Sequence, residues 1–322
     1  MVYYTQNSER KVTIAQSAIA GGIASSVTRA IAQPLDVLKI RFQLQLEPIQ
    51  NGSKYSSLLQ AISSIAREEG VSTLWSGHIP AQLLSISFGV VQFSTYERLT
   101  QTFQRSDPQF YINNQNYLNF SNGAVAATCA TILSYPFDTI RTRLVAEQKI
   151  NKVYKGFSDT LLTMVRHEGA SSLFKGIVPT IAQIAPYAGI QFCMYKLFTE
   201  SIFNRLSFFQ RRKAIGSVIE TTIIANVIAG SIAGLVSKTC VYPFDVVKKR
   251  LQIQGFQQHR KAFGRQMYCS GSLQCIMLTI NEEGVLALYK GYGPSLVKAI
   301  VVTALHFTVY DEIKHFILQM HK

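Results

Sequence analysis

Apolar residues in this chain come in long blocks. Stretches without Asp, Glu, Lys or Arg run over 12–28, 79–96, 108–137, 176–195 and 221–237. A helix needs about 20 predominantly apolar residues to cross a bilayer, and several blocks meet that length. They are rich in Gly, Ala, Ser and Thr, which let helices approach closely inside a membrane. Their middling hydrophobicity predicts helices with one side toward a watery interior. Shorter amphipathic segments at about 57–68, 157–167 and 272–281 lie between the blocks, and each ends at a Glu-Gly pair. Glycine there suits a helix stop.

The pattern occurs three times. PLDVLKIR at 34–41, PFDTIRTR at 136–143 and PFDVVKKR at 243–250 each read P-x-D-x-x-[KR]-x-R, with starts 102 and 107 residues apart. Downstream stand EGVSTLWSG at 69–77, EGASSLFKG at 168–176 and EGVLALYKG at 283–291, followed by Pro80, Pro179 and Pro294. Upstream stand the small-residue runs AGGIAS at 20–25, NGAVAA at 122–127 and AGSIAG at 229–234. The period is too long for a solenoid unit of about 20–50 residues. Each repeat predicts a long apolar helix, a polar loop, a short amphipathic helix and a second long helix. The fold class is therefore an all-α membrane protein of six transmembrane helices in three repeats, over 12–104, 116–204 and 220–318. An even number of crossings puts both termini on one side, with the connections around 104–116 and 204–219.

Composition agrees with this picture. The 322 residues are 48% hydrophobic and 16% charged, against roughly 25% charged in soluble proteins. The formal net charge is +14, which suits either nucleic-acid binding or a membrane protein with basic loops. The basic residues are scattered, with Arg211, Arg212 and Lys213 the densest cluster, so nucleic acid is disfavoured. Cys129, Cys193, Cys240, Cys269 and Cys275 match no zinc spacing and read as isolated thiols. No metal site and no cofactor is expected. The N-terminus MVYYTQNSERK lacks the character of a secretory signal. A membrane enzyme would need a nucleophile–base set or metal ligands. The six histidines are dispersed, and His306 has no evident partner. A soluble helical scaffold fits neither the uncharged runs nor the period.

The triplicated P-x-[DE]-x-x-[KR]-x-[KR] and [DE]-G-x-x-x-x-[WYF]-[KR]-G blocks resemble the mitochondrial carrier family over nearly the whole chain. Ser76 departs by replacing a base. The resemblance implies a pseudo-threefold six-helix bundle in the inner mitochondrial membrane, the short helices on the matrix side and both termini toward the intermembrane space. It also implies one central site with alternating access, in a monomer surrounded by lipid that includes cardiolipin. The runs VTRAIAQPLDVLKIRFQLQ, SKTCVYPFDVVKKRLQIQGF and KGYGPSLVKA resemble the branch that carries thiamine pyrophosphate. Adenine-nucleotide and coenzyme A carriers share parts of them.

Residues common to the three repeats should serve shared mechanics. Asp36, Asp138 and Asp245 each stand three residues before Lys39, Arg141 and Lys248, on one helix face. They can form local pairs worth only about 0.3–0.5 kcal/mol each, or a ring in which each acid meets the base of the next repeat. The resemblance implies the ring, as a matrix gate braced by Gln43 and Gln252, with Val145 at the equivalent place in repeat 2. Pro34, Pro136 and Pro243 each remove a backbone hydrogen bond and kink a helix. The resemblance places a second, cytoplasmic gate near the ends of the even helices. Helix six supplies Tyr310, Asp311 and Lys314. Helix two supplies Tyr96 and Glu97 but Thr100 for the base, and helix four has Tyr195, Lys196 and Thr199. This gate should be the weaker, favouring the outward-open state.

Residues that differ between repeats can recognise an asymmetric substrate. Five residues before the prolines stand Arg29, Thr131 and Lys238. Arg29 and Lys238 lie two turns before an aspartate, about 10 Å along the helix. Seven residues after the aromatic–x–Gly glycines stand Leu84, Gln183 and Lys298, a level that the resemblance associates with substrate contacts. Three cations without an acid at these levels point to a polyanion, since charge-assisted contacts to phosphate are strong. Leu84, Ser85, Phe88, Gln183, Ile184 and Tyr187 offer an uncharged wall for an aromatic heterocycle. The residues imply a phosphorylated small molecule; the resemblance adds thiamine pyrophosphate as transported substrate, in exchange for nucleotides.

Overall fold

The structure is a computed structural model that describes residues 14–46, 54–148, 152–210, 215–255 and 268–320. The described residues form helices and turns, with no strand among them. Repeat 1 comprises α1 (Ile14–Leu44), α2 (Leu58–Glu68), a 3-10 turn (Val71–Trp75) and α3 (His78–Ser106). A short helix, α4 (Pro108–Asn113), leads to α5 (Gln115–Ala146). Repeat 2 continues through α6 (Phe157–Glu168), a 3-10 turn (Ala170–Phe174), α7 (Ile177–Ala182) and α8 (Ile184–Gln210). Repeat 3 is α9 (Ile215–Gln252), α10 (Ser272–Glu283), a 3-10 turn (Val285–Tyr289) and α11 (Tyr292–Met320).

Local chemistry sets these bounds. The Ser57 side chain accepts from the Gln60 amide, and Gln60 Oε1 accepts from the Ser56 amide at 3.1 Å, so both start α2. The short helices stop where Gly70, Gly169 and Gly284 take φ of +90°, +83° and +84°, a region closed to most side chains. Asp107 caps α4 by accepting from Phe110 N at 2.9 Å, a helix not anticipated in the connection. The long helix of repeat 2 also breaks where a single helix is expected. Pro186 has no N–H for the Ala182 carbonyl four residues back, and the chain turns at Gln183 between α7 and α8.

The short helices seal the ends of the odd long helices. Leu38 and Phe42 of α1 pack with Ala61 and Ile65 of α2 and with Tyr55 and Leu74. Ile140 with Met164 and Leu173, and Val247 and Leu251 with Cys275 and Leu288, repeat the arrangement. Between repeats, α3 packs along α5, α8 along α9, and α11 along α1, which closes the bundle into a circle. At its centre Val37, Ile40 and Leu44 meet Val145, Ala146 and Ile253, one apolar cluster drawn from all three repeats. A fully buried side chain of this size contributes about 1.5–3 kcal/mol, whereas buried ion pairs roughly break even against desolvation. Apolar contact therefore supplies most of the holding energy here, and the charges beside it supply direction.

Among the described residues, two stretches are long and apolar enough to cross a membrane by composition alone, Ala170–Thr199 and Val285–His306.

Candidate functional site

Three ion pairs join the odd helices in a ring. Arg141 Nη2 lies 2.6 Å from Asp36 Oδ2, Lys248 Nζ 2.8 Å from Asp138 Oδ2, and Lys39 Nζ 2.8 Å from Asp245 Oδ2. Each base belongs to the repeat after its acid, so the pairs are not local ones. The glycines of the aromatic–x–Gly blocks seat against this ring. Gly77, Gly176 and Gly291 have φ of +70°, +84° and +79°, and an added Cβ would lie 3.1, 2.9 and 2.9 Å from the backbone carbonyls of Arg141, Lys248 and Lys39. Each even helix thus begins in contact with the base of the following repeat.

Gln252 Nε2 donates to Asp138 Oδ2 at 2.9 Å. Gln43 ends elsewhere: its Nε2 donates to the Tyr242 hydroxyl at 3.2 Å, beside Lys39, whose ammonium is 5.8 Å from the Tyr242 ring. Val145 is buried in the central apolar cluster. The helices run unbroken through Pro34, Pro136 and Pro243. Pro34 deprives the Ala30 carbonyl of its helical donor, and Trp75 Nε1 donates to that carbonyl at 2.9 Å. The residues before the prolines tie the downstream blocks. Gln33 Nε2, Tyr135 Oη and Tyr242 Oη donate to the carbonyls of Ser76, Lys175 and Lys290 at 2.9, 3.0 and 3.1 Å.

A second set of triplicated pairs lies behind the ring. Arg41, Arg143 and Arg250 each make a two-pronged contact with the glutamate of the Glu-Gly pair, Glu69, Glu168 and Glu283. Arg41 also donates to the carbonyls of Val145 and Glu147, and Arg143 to those of Gln252 and Gln254, in the next repeat. Burial raises the Glu168 carboxyl, but hydrogen bonds and charge from Arg143 outweigh it and hold Glu168 below the usual carboxylate range. These arginines close the P-x-D-x-x-[KR]-x-R block of every repeat, but spacing alone does not name their partners. Triplicated glutamates in the same order were the available signal. Lys175 and Lys290 join the same clusters and reach the next repeat, Lys175 to the Gln254 carbonyl and Lys290 to those of Gln45 and Leu46. Ser76 is too short to do so, and a pocket of about 220 Å³ lies there, lined by Ser72, Thr73, Ser76, Glu147, Gln148 and Lys152 among others.

Above the ring, a cavity of about 1200 Å³ collects Thr131, Gln183, Ile184, Tyr187 and Lys238. It reaches Asp245 at one end and Asn116 at the start of α5 at the other, with Phe88, Phe120 and Phe192 in its wall. A second cavity of about 470 Å³ shares Phe88 and Thr131 with it and adds Arg29, Leu84 and Ser85. Arg29 and Lys238 are oriented alike. Arg29 Nη1 donates to the Ala81 carbonyl at 3.3 Å, and Lys238 Nζ to the Ser295 carbonyl at 3.0 Å, each in the first turn of its repeat's even helix. Thr131 donates to Ala127 on its own helix. Lys298 was expected among the cavity cations alone; its ammonium instead sits 2.5 Å from Asp36 Oδ1, in the ring.

At the other end, Glu97 is exposed and accepts from Gln101 on its own helix at 3.0 Å. Lys196 is also exposed, and Thr100 accepts from Asn122 Nδ2 at 3.5 Å. The side chains of Tyr310, Asp311 and Lys314 lie outside the described residues.

The triplicated ring and the cavity above it agree with a family comparison. A family model described as mitochondrial carrier protein matches residues 10–107, 113–206 and 220–321. The chain belongs to the mitochondrial carrier family. It is 39% identical over 324 residues to the mitochondrial thiamine pyrophosphate carrier of Bos taurus, covering 99% of this chain and 98% of that protein. The Homo sapiens protein of that name is 39% identical over 305 residues, covering 94% and 92%. The mitochondrial thiamine diphosphate carrier 1 of Zea mays is 36% identical over 315 residues, covering 93% of each. Members of this family are transporters rather than enzymes.

Two features of this mitochondrial carrier escaped the sequence. Lys249 lies 3.0 Å from Asp138 Oδ1 and gives the ring a cation that Ile40 and Thr142 do not supply in the other repeats. Cys269 and Cys275 are free thiols as expected, but the fold buries them together in one cluster with Val247, Leu251 and Leu288. Cys269 stands where repeats 1 and 2 place Tyr55 and Tyr154 against Arg41 and Arg143.

Proposed function

We propose that this mitochondrial carrier imports thiamine pyrophosphate across the inner membrane into the matrix, in exchange for nucleotides or other phosphorylated anions, by alternating access. The carrying observation is the charge of the site. Lys39, Arg141, Lys248, Lys249 and Lys298 meet only three aspartates in the ring, and Arg29 and Lys238 stand beside it on backbone carbonyls. Cations in excess and partly removed from water favour a polyanion. The uncharged wall of Phe88, Ile184 and Tyr187 suits the flat heterocycle attached to such an anion. The names of the relatives favour thiamine pyrophosphate among phosphorylated heterocycles.

In this reading α1, α3, α5, α7 with α8, α9 and α11 span the membrane. Each long helix has 27 residues or more, beyond the ~20 that a crossing needs. The ring is the matrix gate, closed beneath a cavity that opens toward the intermembrane space, where both termini lie. Glu97, Lys196, Asp311 and Lys314 form a weaker cytoplasmic gate that closes when the ring opens. The carrier works as a monomer in lipid that includes cardiolipin.

Liposome exchange tests the reading. Purified carrier in vesicles loaded with unlabelled thiamine pyrophosphate should take up the labelled compound well above protein-free vesicles, and ATP or ADP inside should support the same uptake. Uptake no faster than through empty membranes would sink the assignment, and exchange confined to adenine nucleotides or coenzyme A would replace its substrate.

A further inference from the structure

Cys269 lies just before α10, and Cys275 lies in the first turn of that helix. They are 7% and 0% exposed and share one cluster with Val247 and Leu251 of α9. The Cys275 S–H donates to the Cys269 sulfur. The register between repeats is fixed at this point, because the amides of Ser56, Lys155 and Ser270 donate to Gln60, Asp159 and Gln274. In that register Cys269 replaces Tyr55 and Tyr154, and Cys275 replaces Ala61 and Thr160. All four of those side chains are buried too. Packing at these positions therefore does not require sulfur, and the pair of touching thiols is confined to repeat 3.

We propose that Cys269 and Cys275 are a redox-active dithiol, which hydrogen peroxide converts to a disulfide that slows transport and a thiol reductant restores. Cys269 is the more exposed of the two and reacts first. Donation from Cys275 and the charge of Arg250 outweigh burial and favour its thiolate. Cys275, as the donor and in a buried place, is pushed up and stays a thiol until it attacks. The Cys269 thiolate attacks one peroxide oxygen; an S–O bond forms, the O–O bond breaks and hydroxide leaves. The Cys275 sulfur then attacks the Cys269 sulfur; the S–S bond forms, the S–O bond breaks, and the Cys275 proton leaves with the hydroxyl as water. Two thiols and one peroxide thus give one disulfide and two waters. The effect on transport follows from what the sulfurs touch. Val247 and Leu251 bracket Lys248 and Lys249, the two ring bases of α9. The disulfide fastens α10 to the chain before it against these side chains, so the end of α9 shifts less readily when the ring opens. That last step rests on the alternating-access reading above; the oxidation does not.

Cys193 and Cys240 are exposed and Cys129 is half-buried, so the experiment uses full-length carrier with all three changed to Ser. The carrier in liposomes is treated with hydrogen peroxide, with and without later dithiothreitol. Free thiols are counted by alkylation of the denatured protein and mass spectrometry, and exchange of thiamine pyrophosphate is measured in parallel. Peroxide should remove both alkylation sites and link the peptides that carry Cys269 and Cys275. Exchange should fall about tenfold, the factor that ~1.4 kcal/mol on a barrier represents, and dithiothreitol should restore thiols and exchange together. Adding Cys275→Ala, which places the residue of repeat 1, should abolish the link and leave exchange insensitive to peroxide. Cys275→Thr, with the residue of repeat 2, serves if the Ala variant does not fold. Two thiols that still alkylate after peroxide overturn the dithiol. A disulfide that leaves exchange unchanged, or an equal loss of exchange in Cys275→Ala, overturns its control of transport. A reduced carrier that moves no phosphorylated anion overturns the substrate reading, while the thiol count still decides the dithiol.

Discussion

Lys249 Nζ lies 3.0 Å from Asp138 Oδ1, although Lys248 already holds the other oxygen of that carboxylate at 2.8 Å. Two adjacent lysines of α9 thus converge on one acid of α5, with Gln252 as a third donor. Removing the acid and removing the extra base should have unequal consequences. Asp138→Asn leaves two buried ammonium groups without a counter-charge, a change that costs about 3–5 kcal/mol. Lys249→Met leaves Asp138 paired with Lys248 and relieves the desolvation of a buried cation, so it should cost about 1 kcal/mol or less. Thermal unfolding of the two variants in one detergent checks the order; equal losses would contradict it.

Gly291 offers a test of how closely the even helices seat on the ring. Its φ is +79°, and a Cβ would lie 2.9 Å from the Lys39 carbonyl, backbone that cannot move aside cheaply. Gly291→Ala should destabilise the carrier by several kcal/mol and abolish exchange. Gly271→Ala is the control, because a Cβ there meets nothing within 4 Å and the φ of −166° is ordinary extended backbone. It should retain exchange near the wild-type rate.

Ser76 is the one aromatic–x–Gly block without a base between its aromatic residue and glycine. Lys175 and Lys290 span from their blocks to carbonyls of the next repeat, and the pocket beside Ser76 has room for the same reach. Ser76→Lys should add about 1 kcal/mol of stability, and under the proposed alternating access, in which this junction parts as the ring opens, it should slow exchange. Melting temperature and exchange rate should therefore move in opposite directions.

Arg29 and Lys238 share one geometry, each donating to a carbonyl in the first turn of an even helix. Neither has an ion pair to break among the described residues, so Arg29→Ala and Lys238→Ala should fold normally. Exchange should fall at least tenfold in each, read as an increased KM for thiamine pyrophosphate. Unchanged KM in both would remove them from the substrate site.

Much of the fold was legible because it is periodic. The amphipathic segments expected near 57–68, 157–167 and 272–281 are helices Leu58–Glu68, Phe157–Glu168 and Ser272–Glu283, since their apolar spacing and their terminating glycines are local properties. The three-residue step from Asp36 to Lys39 puts acid and base on one face of α1 by helix geometry alone. The break at Gln183 is also written locally, in Pro186, whose place repeats 1 and 3 fill with Ser87 and Val301, so the triplicated pattern does not contain it.

The sequence by itself determined the threefold repeat, the helical class and which faces of the odd helices carry charge, because a 3.6-residue period converts spacing into direction. Only the tertiary structure decided which charges meet. Lys298 reaches Asp36 across 262 positions of chain, Lys249 joins Lys248 on Asp138, and Arg41 finds Glu69. Spacing orients a side chain about its own helix, whereas its partner is chosen by how closely the neighbouring helices approach. That approach is set at the glycines, where even helices rest on the carbonyls of the ring.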